Sequence, residues 1–328
     1  MTAAASTVVP IGNEAWVFHD GAFIRAGEVA LRASTQALQY GTGVFEGIRC
    51  YRSGVEEGVS NLFRARDHYR RLLDSASLLR IDVPYNADDL VEITVELLRR
   101  NQLSADAYVR PVAYKLALEP GTPVGVRLRS VSSCLSILAM PMPQYPKADG
   151  ISCGISSWRR IPDASLPARA KICGAYANNA LAVDEATAAG FDDALFLNTR
   201  GTLSEGGTSN VFLVRDGAAV TPDPGSDILE GITRAAVAEI LREAGIPVTE
   251  RSVARSELYT ADEVFLTGTG CEVVAVVDVD HRRIGEGTAG PVTKLVQDAY
   301  QSLVRATSPR SAGQLTRIEF TGERGTRE

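Results

Sequence analysis

The chain has 328 residues, 45% of them hydrophobic and 23% charged, and carries a formal net charge of −6. Such a length exceeds one small core and predicts two domains, while the acidic balance excludes a nucleic-acid surface, which needs a basic stripe. Five cysteines without a CxxC pair and three scattered histidines argue against a disulfide framework and a histidine-built metal site.

The opening stretch, MTAAASTVVPIG, has neither the basic start nor the long apolar core of a signal peptide. No apolar run approaches the roughly 20 residues of a membrane span, so the expectation is a soluble, cytoplasmic protein. AWVFHDGAFI reads as a hairpin around Asp20-Gly21, and GVFEGIRCY as a strand. RDHYRRLLDSASLLRI carries Leu72, Leu73, Ala76 and Leu79 at helical spacing and ends before Pro84. ADDLVEITVELLRR is a second helix, followed by two strands, AYVRPVAYKLAL and RSVSSCLSILAM. Three prolines between 141 and 146 mark a linker, placed at 141–150 between a first domain, 1–140, and a second, 151–305.

Beyond the linker the pattern turns strand-rich. DGISCGISSW and DDALFLN read as strands, NVFLVRDGAAVTP as a hairpin around Asp216-Gly217, and TRAAVAEILREAG as a helix closed by Gly245. EVFLTGTGCEVVAVVDVD is strand, glycine turn, strand. A last helix opens at Pro291, with Val292, Leu295, Val296, Ala299 and Leu303 on its buried side, and residues 306–328 form a polar tail. Strands and helices mix without βαβ regularity, which is the pattern of an α+β fold.

Five features could carry chemistry. Lys171 stands in a run of small residues with no carboxylate within four positions; such an amine can become a nucleophile, although a lone lysine is more often a snorkelling surface side chain. TLSEGGTSNVF presents Glu205 beside two glycines that let backbone approach a ligand, or else an ordinary exposed turn. Gly231, Ile232 and Thr233 open a helix, whose free N–H groups favour a phosphate, and Gly268, Thr269 and Gly270 end a strand. Tyr108 and Arg110 share a strand face and could meet one carboxylate. Arg66 sits in a basic cluster at a helix start, the usual sign of a wet face. No GxGxxG opens a helix, and the chain has no P-loop and no GxSxG elbow.

Taken in this order, the segments resemble the branched-chain amino-acid aminotransferases of the class IV aminotransferase family, which are fold-type IV pyridoxal-phosphate enzymes. The resemblance runs from about residue 12 to 305. It is strongest at Glu205, Gly207 and Asn210-Val211-Phe212, and continues through Thr221, Leu229, Gly231, Ile232 and Arg234. YGTGVFEGIRCY, FRARDHYRRLLDSA, AYVRP and GPVTK match as well, whereas Ala219 replaces a larger apolar residue and Gly270 departs from the commoner alanine.

The resemblance implies an α+β, two-domain fold like that of D-amino-acid aminotransferase, with a smaller N-terminal α/β domain and a larger, strand-rich C-terminal domain that binds the cofactor. It implies a transaminase that moves the amino group between branched-chain L-amino acids and 2-oxoglutarate. Lys171 would hold pyridoxal 5′-phosphate as a Schiff base and then shuttle the substrate proton. Glu205 would face the pyridine nitrogen, and Tyr176 the 3′-oxygen. Arg66, Gly231, Ile232, Thr233, Gly268 and Thr269 would hold the phosphate. Tyr40, Phe45, Gly47, Tyr108, Arg110, Thr269, Gly270 and Cys271 would line the substrate pocket, and Trp158, on a proline-bearing loop, would close it. A homodimer or higher homo-oligomer is implied, with the loop at about 118–125 reaching the neighbour. A D-amino-acid or (R)-amine transaminase, or an aminodeoxychorismate lyase, would share Lys171 and Glu205, and a non-enzymatic binding protein could keep the fold. No metal, nucleic acid or membrane enters this reading.

Overall fold

The computed structural model describes residues 11–142 and 150–320. The chain divides into two compact units, Met1–Gln144 with Gln301–Glu328, and Tyr145–Tyr300. Most of the expected linker, 143–149, lies outside the described residues.

In the first unit, eight strands among the described residues form one sheet in the order Leu315–Glu319, Val59–Phe63, Ile48–Arg52, Ala107–Leu118, Val131–Pro141, Trp16–His19, Ala22–Arg25, with Gly43–Phe45 also paired to Ala107–Leu118. These pairings are antiparallel. The predicted hairpin is there, with Phe18 opposite Phe23 and positive φ at both Asp20 and Gly21, the conformation a two-residue turn needs. Both predicted helices form, at Ala65–Leu78 and Ala87–Arg100. The second starts at Asn86, whose side chain accepts from the N–H groups of Asp88 and Asp89. The two helices lie against the sheet, and Tyr69, Leu72, Leu90 and Leu97 are fully enclosed. Ala107, Val109 and Pro111 are buried on one side of their strand, while Tyr108 and Arg110 alternate onto the other.

In the second unit the sheet order is Leu203–Gly206, Asp193–Leu197, Ile151–Arg159, Glu272–Val279, Glu263–Gly268, Asn210–Arg215, Ala218–Thr221, Val248–Glu250, with Arg282–Arg283 on Glu272–Val279. Among the described residues three pairings are parallel and the others antiparallel, as a strand-rich α+β fold requires. Leu195, Leu197, Leu203, Val211, Val264 and Leu266 belong to one apolar cluster. Ala219 is fully buried opposite Val214 and Val248, and the small residue leaves the register intact.

Three expectations need correction. The polar tail contains a strand: Leu315–Glu319 pairs in register with Val59–Phe63 and buries Ile318. That segment belongs to the first unit. The last helix, Pro291–Val304, buries Thr293, Val296, Tyr300, Leu303 and Val304, whereas Leu295 is exposed; the stripe is rotated by one position from the sequence reading. Trp158 is the penultimate residue of the strand Ile151–Arg159 and not part of a loop.

Candidate active site

Lys171 follows the strand Ile151–Arg159 and precedes the helix Tyr176–Ala188. Its Nζ donates to the hydroxyl of Tyr176, the first residue of that helix, across 2.6 Å. Ala168, Ala170 and Ile172 around it are buried, so the amine emerges from an apolar segment.

Glu205 lies on Leu203–Gly206, every residue of which is buried. Its carboxylate accepts from the N–H of Leu229 at 2.9 Å and from Asn210 Nδ2 at 3.2 Å, and Arg160 Nε stands 2.8 Å from Oε1. Burial pushes the Glu205 carboxyl above its ordinary value, and the positive charges of Arg160 and Lys171 oppose that rise. Lys171 is therefore close enough for its charge to act on Glu205.

Asn210 joins the carboxylate to an anion-friendly helix start. Its Nδ2 also donates to Leu229 O at 2.8 Å, and its Oδ1 occupies the space a Cβ on Gly231 would need. Gly231 is the N-cap of Ile232–Glu243 and offers no side-chain oxygen, so the first-turn N–H groups of Ile232 and Thr233 lack a side-chain cap. Thr233 is buried there. The turn Gly268–Cys271 approaches the same region: a Cβ on Gly268 would touch Thr208 O and Ser209 Cβ, and Thr267 pairs with Asn210. Burial pushes the Cys271 thiol up to about 12, with the charge of Asp193 adding to it.

In the first unit, the Tyr108 hydroxyl accepts from Arg110 Nη2 at 2.7 Å, and the Arg110 guanidinium lies over the Phe45 ring at 4.5 Å. Gly47 faces Tyr108, whose hydroxyl fills the space where a side chain would stand. Phe45, Gly47, Tyr108 and Arg110 thus form one group. Tyr40 ends the short helix Gln36–Tyr40 and is 43% exposed. Trp158 is exposed as well.

Arg66 is placed apart from this group. It is on the solvent face of Ala65–Leu78, ion-paired with Asp88 at 2.7 Å. The inward arginine of that helix is Arg71, held by both oxygens of Glu46 at 2.6 and 2.9 Å, with His68 Nδ1 at 2.8 Å from the same carboxylate. Sequence reasoning missed Arg71, Arg160 and the linking role of Asn210. The three-residue spacing of Arg71 from His68 held the signal for the first; nothing local marks Arg160 as the partner of Glu205.

Residues 43–279 match the family model described as Amino-transferase class IV. The chain belongs to this family. It is an aminotransferase. The probable branched-chain-amino-acid aminotransferase of Aquifex aeolicus is 43% identical over 92% of this chain and 96% of that protein. The branched-chain-amino-acid aminotransferase of Escherichia coli K12 is 36% identical over 92% and 97%. Among solved structures, the branched-chain aminotransferase of the thermophilic archaeon Thermoproteus uzoniensis with norvaline superposes with a TM-score of 0.86 at 37% identity, covering 92% of this chain and 99% of that one. The mixed α and β content and the two sheets agree with the fold-type IV expectation.

Proposed function

We propose that the chain transfers the amino group between the branched-chain L-amino acids leucine, isoleucine and valine and 2-oxoglutarate, with pyridoxal 5′-phosphate as cofactor. The observation that carries the reading is the setting of Lys171: an amine bonded to the Tyr176 phenol, whose charge acts on the buried carboxylate of Glu205. The donor set fits the cofactor in kind, with one amine for covalent attachment, one carboxylate for a ring nitrogen, and uncapped N–H groups at Ile232 and Thr233 for a phosphate. Thr269, on the neighbouring turn, adds to the phosphate site. Arg66, committed to Asp88 at the surface, is left out.

When bound, pyridoxal phosphate supplies an electron sink for the pair released at substrate Cα. Lys171 would hold the cofactor through its amine and, once freed, would take the proton from substrate Cα and deliver it to the cofactor carbon on the far side of the intervening nitrogen, roles that require a primary amine. Tyr176 orients that amine. Glu205, as a carboxylate, keeps the ring nitrogen protonated. Phe45 offers an apolar wall to an aliphatic side chain, while Tyr108 and Arg110 offer a hydroxyl and a guanidinium to the distal carboxylate of glutamate.

A homodimer completes the proposal. The first unit exposes Leu31, Leu38, Val124 and Val126, apolar surface that a second copy would cover. The testing experiment is single-turnover spectroscopy of protein loaded with pyridoxal phosphate, against L-leucine, D-alanine and (R)-1-phenylethylamine. Conversion by L-leucine alone supports the reading; conversion only by D-alanine or the amine overturns it.

A further inference from the structure

Glu205 is 5% exposed, and a carboxylate removed from water reverts to its neutral acid unless a cation holds it. Two cations act on it, Arg160 and Lys171; its contacts with Asn210 Nδ2 and the Leu229 N–H are with neutral donors. Lys171 is no permanent partner, because its amine is the group that reacts. Arg160 can be one. Its guanidinium does not lose its proton, and it is 7% exposed. It is aimed from two sides: its Nη1 donates to Asn179 Oδ1 at 3.3 Å, and its backbone N–H donates to Leu197 O at 3.0 Å. Asn179 is itself fixed by donating to Gly207 O, two residues beyond Glu205. Arg160, Asn179 and the Glu205 strand therefore close a ring of contacts around the carboxylate.

We infer that Arg160 is a positioning residue that holds Glu205 as an anion, and so keeps the shared proton on the cofactor ring nitrogen instead of on the carboxyl. This rests on the proposed role of Glu205 toward that nitrogen. Arg160 touches neither substrate nor cofactor in this account and acts only through Glu205. With the guanidinium gone, burial wins, the proton settles on Glu205, and the ring loses the positive charge that makes it an electron sink.

The test has one arm without cofactor and one with it. In cofactor-free protein at pH 7, infrared spectroscopy of Arg160→Met should show a protonated-carboxyl stretch that wild type and Arg160→Lys lack, and that vanishes in the double variant with Glu205→Gln. With pyridoxal phosphate carrying ¹⁵N in the ring, Arg160→Met should move the nitrogen resonance toward the unprotonated form. In the same variant kcat should fall by about 10- to 100-fold, with Arg160→Lys restoring most of it. If Arg160→Met does not fold, Arg160→Gln replaces it in both arms. Wild-type infrared and nitrogen spectra in a folded neutral variant would overturn the inference. The infrared arm needs no cofactor, so it is decided separately from the proposed function.

Discussion

Gly47 and Tyr108 are fitted to each other: the tyrosine hydroxyl occupies the place where any side chain at 47 would start, and from there it meets Arg110 at 2.7 Å. Gly47→Ala should displace the hydroxyl and break that bond. Turnover with 2-oxoglutarate should fall about tenfold or more, the order of one charge-assisted hydrogen bond. Steady-state assays check this, and unchanged kinetics would remove Tyr108 from the pocket.

On the proposed function, Arg110 serves one of the two substrates and not the other. Arg110→Met should weaken the 2-oxoglutarate half-reaction by about 10- to 150-fold, since a hydrogen bond to a charged group contributes about 1.5–3 kcal/mol. The leucine half-reaction should stay nearly intact, because an aliphatic chain has nothing for a guanidinium to bind. Single-turnover spectra read the halves separately, and an equal loss in both would make Arg110 a ligand of the carboxylate common to both substrates.

Glu46 links acid stability to one buried cluster. Burial alone would raise its carboxyl, but the Arg71 charge and the His68 contact outweigh it and hold the group well below the usual carboxylate range. A depressed folded value gives stability that is complete above the unfolded value of about 4.3 and is lost as the pH falls further toward the folded one. Glu46→Gln removes the negative charge facing Arg71 in a buried cluster and should cost about 3–5 kcal/mol at pH 7. Denaturant titrations at pH 7 and pH 3.5 should show that difference shrinking at the lower pH; a constant difference would refute the electrostatic account.

Thiol chemistry offers a check on burial. Burial pushes Cys50 and Cys271 up to about 12, and Cys153 well above its ordinary value. Because the thiolate is the reactive form, iodoacetamide at pH 8 should leave these three largely unlabelled in native protein. Cys173, half-buried, should react first. Peptide mapping after timed labelling gives the order, and early modification of Cys153 would contradict the packing.

Much of this architecture is legible in the sequence because its signals are local. Asp20-Gly21 and Asp216-Gly217 carry their turns, and Asn86 carries the start of a helix whose period then fixes Leu90 and Leu97 inward. The helix Tyr176–Ala188 is different. Its inward residues are Ala182 and Ala186, packed on Ala194 and Phe196, so no apolar stripe announces it. At the site, Lys171 and Glu205 stand out as chemistry set among small residues. The partner of Glu205 does not: Arg160 reaches it from 45 positions away, a contact made by the fold and not by local spacing. In the first unit Arg66 pairs with Asp88 at the surface while Arg71 turns inward to Glu46.

The central claim is that Lys171 carries the cofactor, and covalent mapping tests it most directly. Purified protein is loaded with pyridoxal phosphate, reduced with borohydride, digested and sequenced by mass spectrometry. The chain contains three other lysines, Lys115, Lys147 and Lys294, which serve as internal controls. The account predicts a phosphopyridoxyl group on Lys171 and on none of the others, lost in Lys171→Ala. Attachment at another lysine, or no attachment at all, would contradict it.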